Sequence, residues 1–158
     1  MVKNNLFPKR CILRLSRNIS NASFQDGQIL LGPDFDGRVY FQENGLEFQA
    51  DVLCGQKTGF YFDQRNNRFQ IKKMSENKSV LNVFSYSGGF SVYAFSGGCR
   101  YVYEIEANPA ALEAARDNVY LNFPKLRGQS NRFRQFQKDA FDQLSEFAQI
   151  KQSFELVI

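Results

Sequence analysis

The amino-acid sequence predicts an α/β protein whose main body is a parallel sheet, preceded by a small β-hairpin region. Three observations carry that reading. From Ser79 onward, short apolar runs alternate with helix-length amphipathic segments, as in strands joined by right-handed helical crossovers. The junctions carry helix punctuation: Gly97-Gly98 closes one helix and Asn108-Pro109 opens another. Upstream, Asn44-Gly45 separates two strand-like runs, a sign of a tight hairpin. The chain divides on this basis into a β-rich region at 1–62 and a sheet-forming region at 63–158.

Taken in order, residues 1–30 are polar and weakly patterned. CILRLSRN reads as a strand with Arg14 and Arg17 on one exposed edge, and LLGPDFDG as a loop rich in turn residues. In VYFQENGLEFQADVL, Leu46, Phe48, Ala50 and Val52 alternate with Glu47, Gln49 and Asp51, which is strand periodicity. Asp63 is placed to cap a helix that starts at Gln64 and runs to about Glu76. SVLNVFSY is the first strand of the parallel sheet and FSVYAFSGG a short helix. RYVYEIE is the second strand. Leu112, Ala115 and Val119 share one face of the helix opened by Asn108-Pro109. RFRQFQ is the third strand. Phe141, Leu144 and Phe147 mark a helix over 140–150, and FELVI is the fourth strand.

Composition excludes several chemistries. The 158 residues contain no His, so no His-based triad or His general base exists. Cys11, Cys54 and Cys99 are widely spaced and form no CxxC pair, which argues against zinc and for structural thiols in a reducing compartment. No run approaches the ~20 apolar residues that span a bilayer. MVKNNLFPKR lacks the apolar core of a secretory signal, so the expected compartment is the cytoplasm. A net charge of +4 is compatible with a nucleic-acid partner.

Ligands of open parallel sheets bind beyond the carboxyl ends of the strands. Three features fall there. Gly88 and Gly89 let the backbone after the first strand approach a ligand. Glu106, 18 residues after Gly88, ends the second strand, where a carboxylate can accept from both ribose hydroxyls. Asp139 follows the third strand and can accept from an adenine amino group. Taken singly, these are also a tight turn, a solvated charge and a helix cap; their order and spacing favour an adenosine site. SYSGGFSVYA lacks the G-x-G-x-x-G of dinucleotide folds, and no P-loop lysine motif is present. S-adenosylmethionine, an adenosine ligand without phosphate, fits better than a nicotinamide dinucleotide.

The run VLNVFSYSGGFSVYAFSGG, with GQKTGFYFDQRNNR upstream, resembles the class I RNA methyltransferases of the ribosomal RNA large-subunit methyltransferase I type, the cytosine-C5 group and its relatives. The resemblance covers roughly residues 36–158. Phe84 and Tyr86 stand where many methyltransferases have glycine, which points to this subgroup.

The resemblance implies a Rossmann-like sheet of strand order 3-2-1-4, incomplete, with S-adenosylmethionine as cofactor and RNA as substrate, a base of large-subunit ribosomal RNA. Asn82 and the loop Phe84, Ser85, Tyr86, Ser87 and Gly88 would wrap the methionine part of the cofactor. Glu106 would hold the ribose, although the subgroup more often has Asp. Asp139 and the backbone of Ala140 would read the adenine edge. Lys57, Thr58 and Gly59, with Asp63, Gln64 and Arg65, would lie over the amino-acid end: Lys57 or Arg65 suits a carboxylate and Asp63 an ammonium.

In this family the fourth strand leads into a D-P-P type motif, and a Cys nucleophile follows on later strands; both would lie beyond residue 158. The expectation is therefore a cofactor-binding half, inactive alone, or a non-catalytic fragment or relic. As an edge strand, FELVI would invite self-association. No membrane or metal partner is expected.

Overall fold

The computed structural model describes residues 8–15 and 23–158. The chain forms two compact units: Met1–Val39 with Ala50–Phe60, and Tyr40–Gln49 with Tyr61–Ile158.

In the first unit, β1 (Cys11–Ile12) pairs antiparallel with β2 (Ile29–Leu31). The strand predicted around CILRLSRN is thus very short, and Leu30 and Leu31, read as the start of a loop, belong to β2. Arg17 lies outside the described residues. Arg14 does not merely decorate an edge. Its guanidinium meets Asp26 Oδ1 at 3.0 Å and donates to the carbonyls of Val52 and Gly55 at 2.8 and 3.0 Å. The Leu15 N–H, with Arg14 beside it, holds the Asp26 carboxyl below its ordinary range.

A hairpin follows, of β3 (Arg38–Glu43) and β4 (Leu46–Asp51). At its turn Asn44 and Gly45 have φ of 51° and 78°, the positive values that a type I′ turn demands. Phe48 and Ala50 are buried, as the alternation predicts.

The second unit is built on a four-stranded parallel sheet. Its strands are β5 (Ser79–Val83), β6 (Tyr101–Ile105), β7 (Phe133–Phe136) and β8 (Leu156–Val157), in the order β7-β6-β5-β8. This is the predicted 3-2-1-4 order. The helices are α1 (Arg65–Met74), α2 (Gly89–Ser96), α3 (Pro109–Asn122) and α4 (Ala140–Gln149). Asn108 caps α3 by accepting from the N–H groups of Ala110 and Ala111, and Leu112, Ala115 and Val119 are buried on one face. Helices α1 and α2 meet closely at Gly97, where a Cβ would lie 2.0 Å from the Lys72 carbonyl oxygen.

One expectation needs correction. Asp63 is not a helix cap. Phe62–Gln64 form a 3₁₀ turn, α1 starts at Arg65, and no side chain caps it. The Arg65 N–H, which an Asp63 cap would take, donates to the Phe62 carbonyl, and Asp63 accepts from the Gln64 side chain instead. The helix marked by Phe141, Leu144 and Phe147 is present as α4, but Phe141 does not share the core with the other two. It is 72% exposed, whereas Phe147 is buried and Leu144 packs beside it. Three residues fall short of a helical turn by about 60°, so two such steps rotate a side chain off the buried face.

The face of the sheet under α4 is aromatic. Tyr103, Phe136, Phe147 and Phe154 lie 5.1–6.2 Å apart, centroid to centroid, over Leu81 and Ile105. Three of the chain's 17 Phe pack here.

A buried ion pair anchors the hairpin tip to α1. Arg68 Nε and Nη2 donate to the two carboxylate oxygens of Glu43 at 2.8 and 2.7 Å, and Nη1 donates to the Tyr61 carbonyl. The side chains are only 3% and 5% exposed. Tyr93 of α2 donates to Glu43 at 2.9 Å and accepts from Asn44 at 2.8 Å. Burial, reinforced by Glu43, pushes the Tyr93 phenol up to about 12, so it remains a donor at neutral pH. Truncating one partner leaves the other charge buried and unpaired. Arg68→Ala should therefore cost about 3–5 kcal/mol in urea unfolding; a loss below about 1 kcal/mol would show that the pair does not anchor the hairpin.

Candidate functional site

Strand β5 ends at Val83 and α2 begins at Gly89; the five residues between them form a contorted loop. Phe84, Tyr86 and Gly88 have φ of 56°, 47° and 72°. Left-handed backbone is costly for residues with a Cβ and persists where surrounding contacts over-determine it. Here the Ser85 N–H donates to the Ile105 carbonyl at 3.1 Å, and the Tyr86 N–H to Glu106 Oε2 at 3.0 Å. Gly88 closes the turn on the Ser85 carbonyl at 2.9 Å. A Cβ at Gly88 would lie 2.8 Å from the Cα of Ala115 on α3, so the loop rests directly on that helix.

Glu106 follows β6 and is fixed from two sides. Oε2 accepts from Tyr86 and Oε1 from the Asn108 N–H at 2.9 Å. Asp139 follows β7 and caps α4, its Oδ1 accepting from the N–H groups of Phe141 and Asp142. Ala140 beside it is buried. Phe84, 64% exposed, meets the exposed Phe141 ring edge-on at 6.3 Å. Strand ends thus present a carboxylate after β6, a carboxylate after β7 and two aromatic faces. Ser85 Oγ is buried in the loop with no hydrogen-bond partner. An orphaned hydroxyl, oriented carboxylates and exposed rings fit a nucleoside-bearing ligand.

Other sequence-selected residues have different settings. Asn82 is 2% exposed and donates to Ser91 Oγ at 2.9 Å. Ser87 is buried, and its carbonyl accepts from Asn118 at 2.9 Å. Arg65 donates to the Asn44 side chain at 3.0 Å. Lys57, Thr58 and Gly59 belong to the first unit, where Thr58 Oγ1 donates to the Phe60 carbonyl at 3.0 Å. Cys99 is buried while Cys11 and Cys54 are exposed, so a packing role fits only Cys99.

Sequence reasoning missed two buried polar residues near this loop. Asn118 lies on the apolar face of α3, three residues after Ala115; a polar side chain at a core position was the available signal. The other is Glu104. Asn82, Glu104 and Gln135 stand in register across β5, β6 and β7, forming a polar row beneath the loop. Glu104 is fully buried. Oε2 accepts from Gln135 at 2.8 Å, and Oε1 has no partner.

Burial pushes the Glu104 carboxyl from 4.5 up to about 7; the nearby Ser91 hydroxyl and the Gln135 amide offset part of the rise, and Glu106 adds to it. Because the folded value is raised, the folded state binds the extra proton between about pH 4.5 and 7. Its contribution is present at low pH and lost as pH rises through that window. Glu104→Gln should remove this slope and gain stability relative to the parent at pH 8, on the order of 1–3 kcal/mol, in urea unfolding at pH 5 and 8. Identical pH dependence in both proteins would refute the assignment.

A family model for S-adenosylmethionine-dependent methyltransferase matches residues 19–152. Among curated proteins, the chain is 46% identical over 119 residues to the "Ribosomal RNA large subunit methyltransferase" of Deinococcus radiodurans, covering 73% of this chain and 29% of the relative. It is 39% identical over 120 residues to the "Ribosomal RNA large subunit methyltransferase I" of Aeromonas salmonicida, covering 76% and 29%. The chain therefore spans about three-tenths of the length of these relatives. The solved S-adenosylmethionine-dependent methyltransferase from Agrobacterium tumefaciens superposes with a TM-score of 0.71 at 20% identity, over 83% of this chain and 42% of that one. At that identity the likeness speaks for the fold. The family match, with the parallel sheet and the loop at its carboxyl edge, establishes that the chain belongs to the S-adenosylmethionine-dependent methyltransferases.

Proposed function

We propose that residues 63–158 form the cofactor-binding half of an RNA methyltransferase, acting on a base of large-subunit ribosomal RNA, with residues 1–62 as an accessory β-rich region. The RNA substrate is supported by the names of the curated relatives. The observation that carries the cofactor role is Glu106. Each of its oxygens already accepts one backbone N–H, so the carboxylate is oriented before a ligand arrives. A carboxylate has about four lone-pair sites, which leaves one on each oxygen for the two ribose hydroxyls.

The remaining contacts follow from the same edge. Oδ1 of Asp139 serves the α4 cap, and Oδ2 is left to accept from the adenine amino group, beside the Ala140 backbone. Phe84 and Phe141 offer exposed rings for the purine. Ser85 Oγ gains a partner on binding. S-adenosylmethionine, when bound, supplies an electrophilic methyl group on sulfur. For Lys57, Thr58, Gly59, Asp63 and Arg65, a role at the amino-acid end rests on the family resemblance. Self-association is favoured by the position of β8 at the sheet edge, with Val157 59% exposed.

Calorimetry with S-adenosylhomocysteine tests the cofactor assignment. Glu106→Ala should weaken binding about 10- to 100-fold, the worth of charge-assisted hydrogen bonds. Glu106→Gln, which keeps one acceptor, should fall between. Unchanged affinity in Glu106→Ala would remove the ribose role.

A further inference from the structure

Helix α3 treats β4 as a neighbouring strand would. Asn122 Oδ1 accepts from the Glu47 N–H at 2.9 Å, and its Nδ2 donates to the Glu47 carbonyl at 2.7 Å. One turn earlier, Asn118 Oδ1 accepts from the Gln49 N–H at 2.8 Å, and its Nδ2 donates to the Gln49 carbonyl at 3.2 Å. Residues i and i+4 on one helix face thus match residues i and i+2 on one strand edge. Two side-chain amides satisfy the edge of β4 without another strand.

The Asn122 amide gives its second Nδ2 hydrogen to the Asn118 backbone carbonyl at 2.9 Å, whereas Asn118 makes a different bond. Its second Nδ2 hydrogen goes to the Ser87 carbonyl at 2.9 Å, in the left-handed loop before α2. Asn118 is fully buried. Its orientation is forced, since Nδ2 faces two carbonyl oxygens and Oδ1 faces an N–H. Reversing the amide would set oxygen against oxygen at Ser87. The same loop rests on Ala115, one turn earlier on α3.

We infer that Asn118 is a positioning residue for the cofactor loop, coupling the ordered hairpin to the S-adenosylmethionine site through the Ser87 carbonyl. This rests on the cofactor reading above. Asn118 touches no ligand in this scheme; it fixes the peptide that closes the loop and so sets the geometry offered to the ligand. Loss of hairpin order at Gln49 frees the amide and loosens the loop.

The test compares isosteric variants of the two asparagines in the full 158-residue chain. S-adenosylhomocysteine affinity is measured by calorimetry at pH 8 and pH 5.5, with circular dichroism to verify folding. Asn118→Asp keeps the bond to the Gln49 N–H but sets an acceptor against the Ser87 carbonyl. It should lose about tenfold or more in affinity at pH 8. At pH 5.5 the buried carboxyl, protonated, can donate again, and part of the affinity should return relative to the parent at the same pH. Asn122→Asp perturbs the same strand edge and the bond to the Asn118 backbone carbonyl without touching the loop, and should bind within about twofold of the parent. If Asn118→Asp fails to fold at pH 8, Asn118→Ala takes its place, with the same loss expected and no recovery at pH 5.5. Equal losses in the Asn118 and Asn122 variants, or parental affinity in both, would overturn the proposal and leave Asn118 as a hairpin staple. A parent chain that binds no S-adenosylhomocysteine would instead overturn the cofactor reading and this inference with it.

Discussion

Three left-handed residues in the five between Val83 and Gly89 set the constraint on which the rest of the sheet-bearing unit depends. Two of them, Phe84 and Tyr86, carry side chains, and such backbone costs about 1–2 kcal/mol per residue. The loop persists because its neighbours leave it no alternative. Strand β6 takes the Ser85 N–H, Glu106 takes the Tyr86 N–H, α3 packs on Gly88 and Asn118 holds the Ser87 carbonyl. The contacts that define the candidate site are also those that hold the strained loop together. Glu106 is an anchor for the loop and, in the proposed cofactor role, also the acceptor offered to the ribose.

Beneath that loop the sheet carries polar groups in an otherwise apolar interior. The row Asn82–Glu104–Gln135 spans three strands, and Glu104 has one oxygen without a partner. Burying it costs free energy that a leucine would not, so the row is a local departure from the best-packed core. Such departures gather near functional loops. The face under α4 follows the opposite rule, with tilted and edge-on aromatic rings supplying large buried area with few polar atoms.

The hairpin is held by charge and amide chemistry as well as by the buried Phe48 ring, which packs on Phe41 and Tyr93. Glu43 and Arg68 form a bidentate pair closed off by Tyr93, and Asn118 and Asn122 replace a missing strand neighbour for β4. Interactions of this kind depend on alignment, because low dielectric strengthens a satisfied hydrogen bond and penalises an unsatisfied one. The hairpin is therefore specified in position as well as in existence.

The sequence by itself determined what local physics controls. The type I′ turn at Asn44-Gly45, the Asn108 cap, the order of strands and helices, and the glycine turn after β5 all rest on residues within a few positions of one another. The strand-end carboxylates Glu106 and Asp139 were legible for the same reason, since strand ends can be located from periodicity. Tertiary structure alone decided the rest. Asn118 finds Ser87 31 residues away and Gln49 69 residues away, and Arg68 finds Glu43 across 25. Phe141 left the core because spacing by three drifts around a helix, and Asp63 lost its cap to a backbone carbonyl. In each case the deciding partner is remote in sequence or competes with the local signal, and only the packed chain brings it within bonding distance.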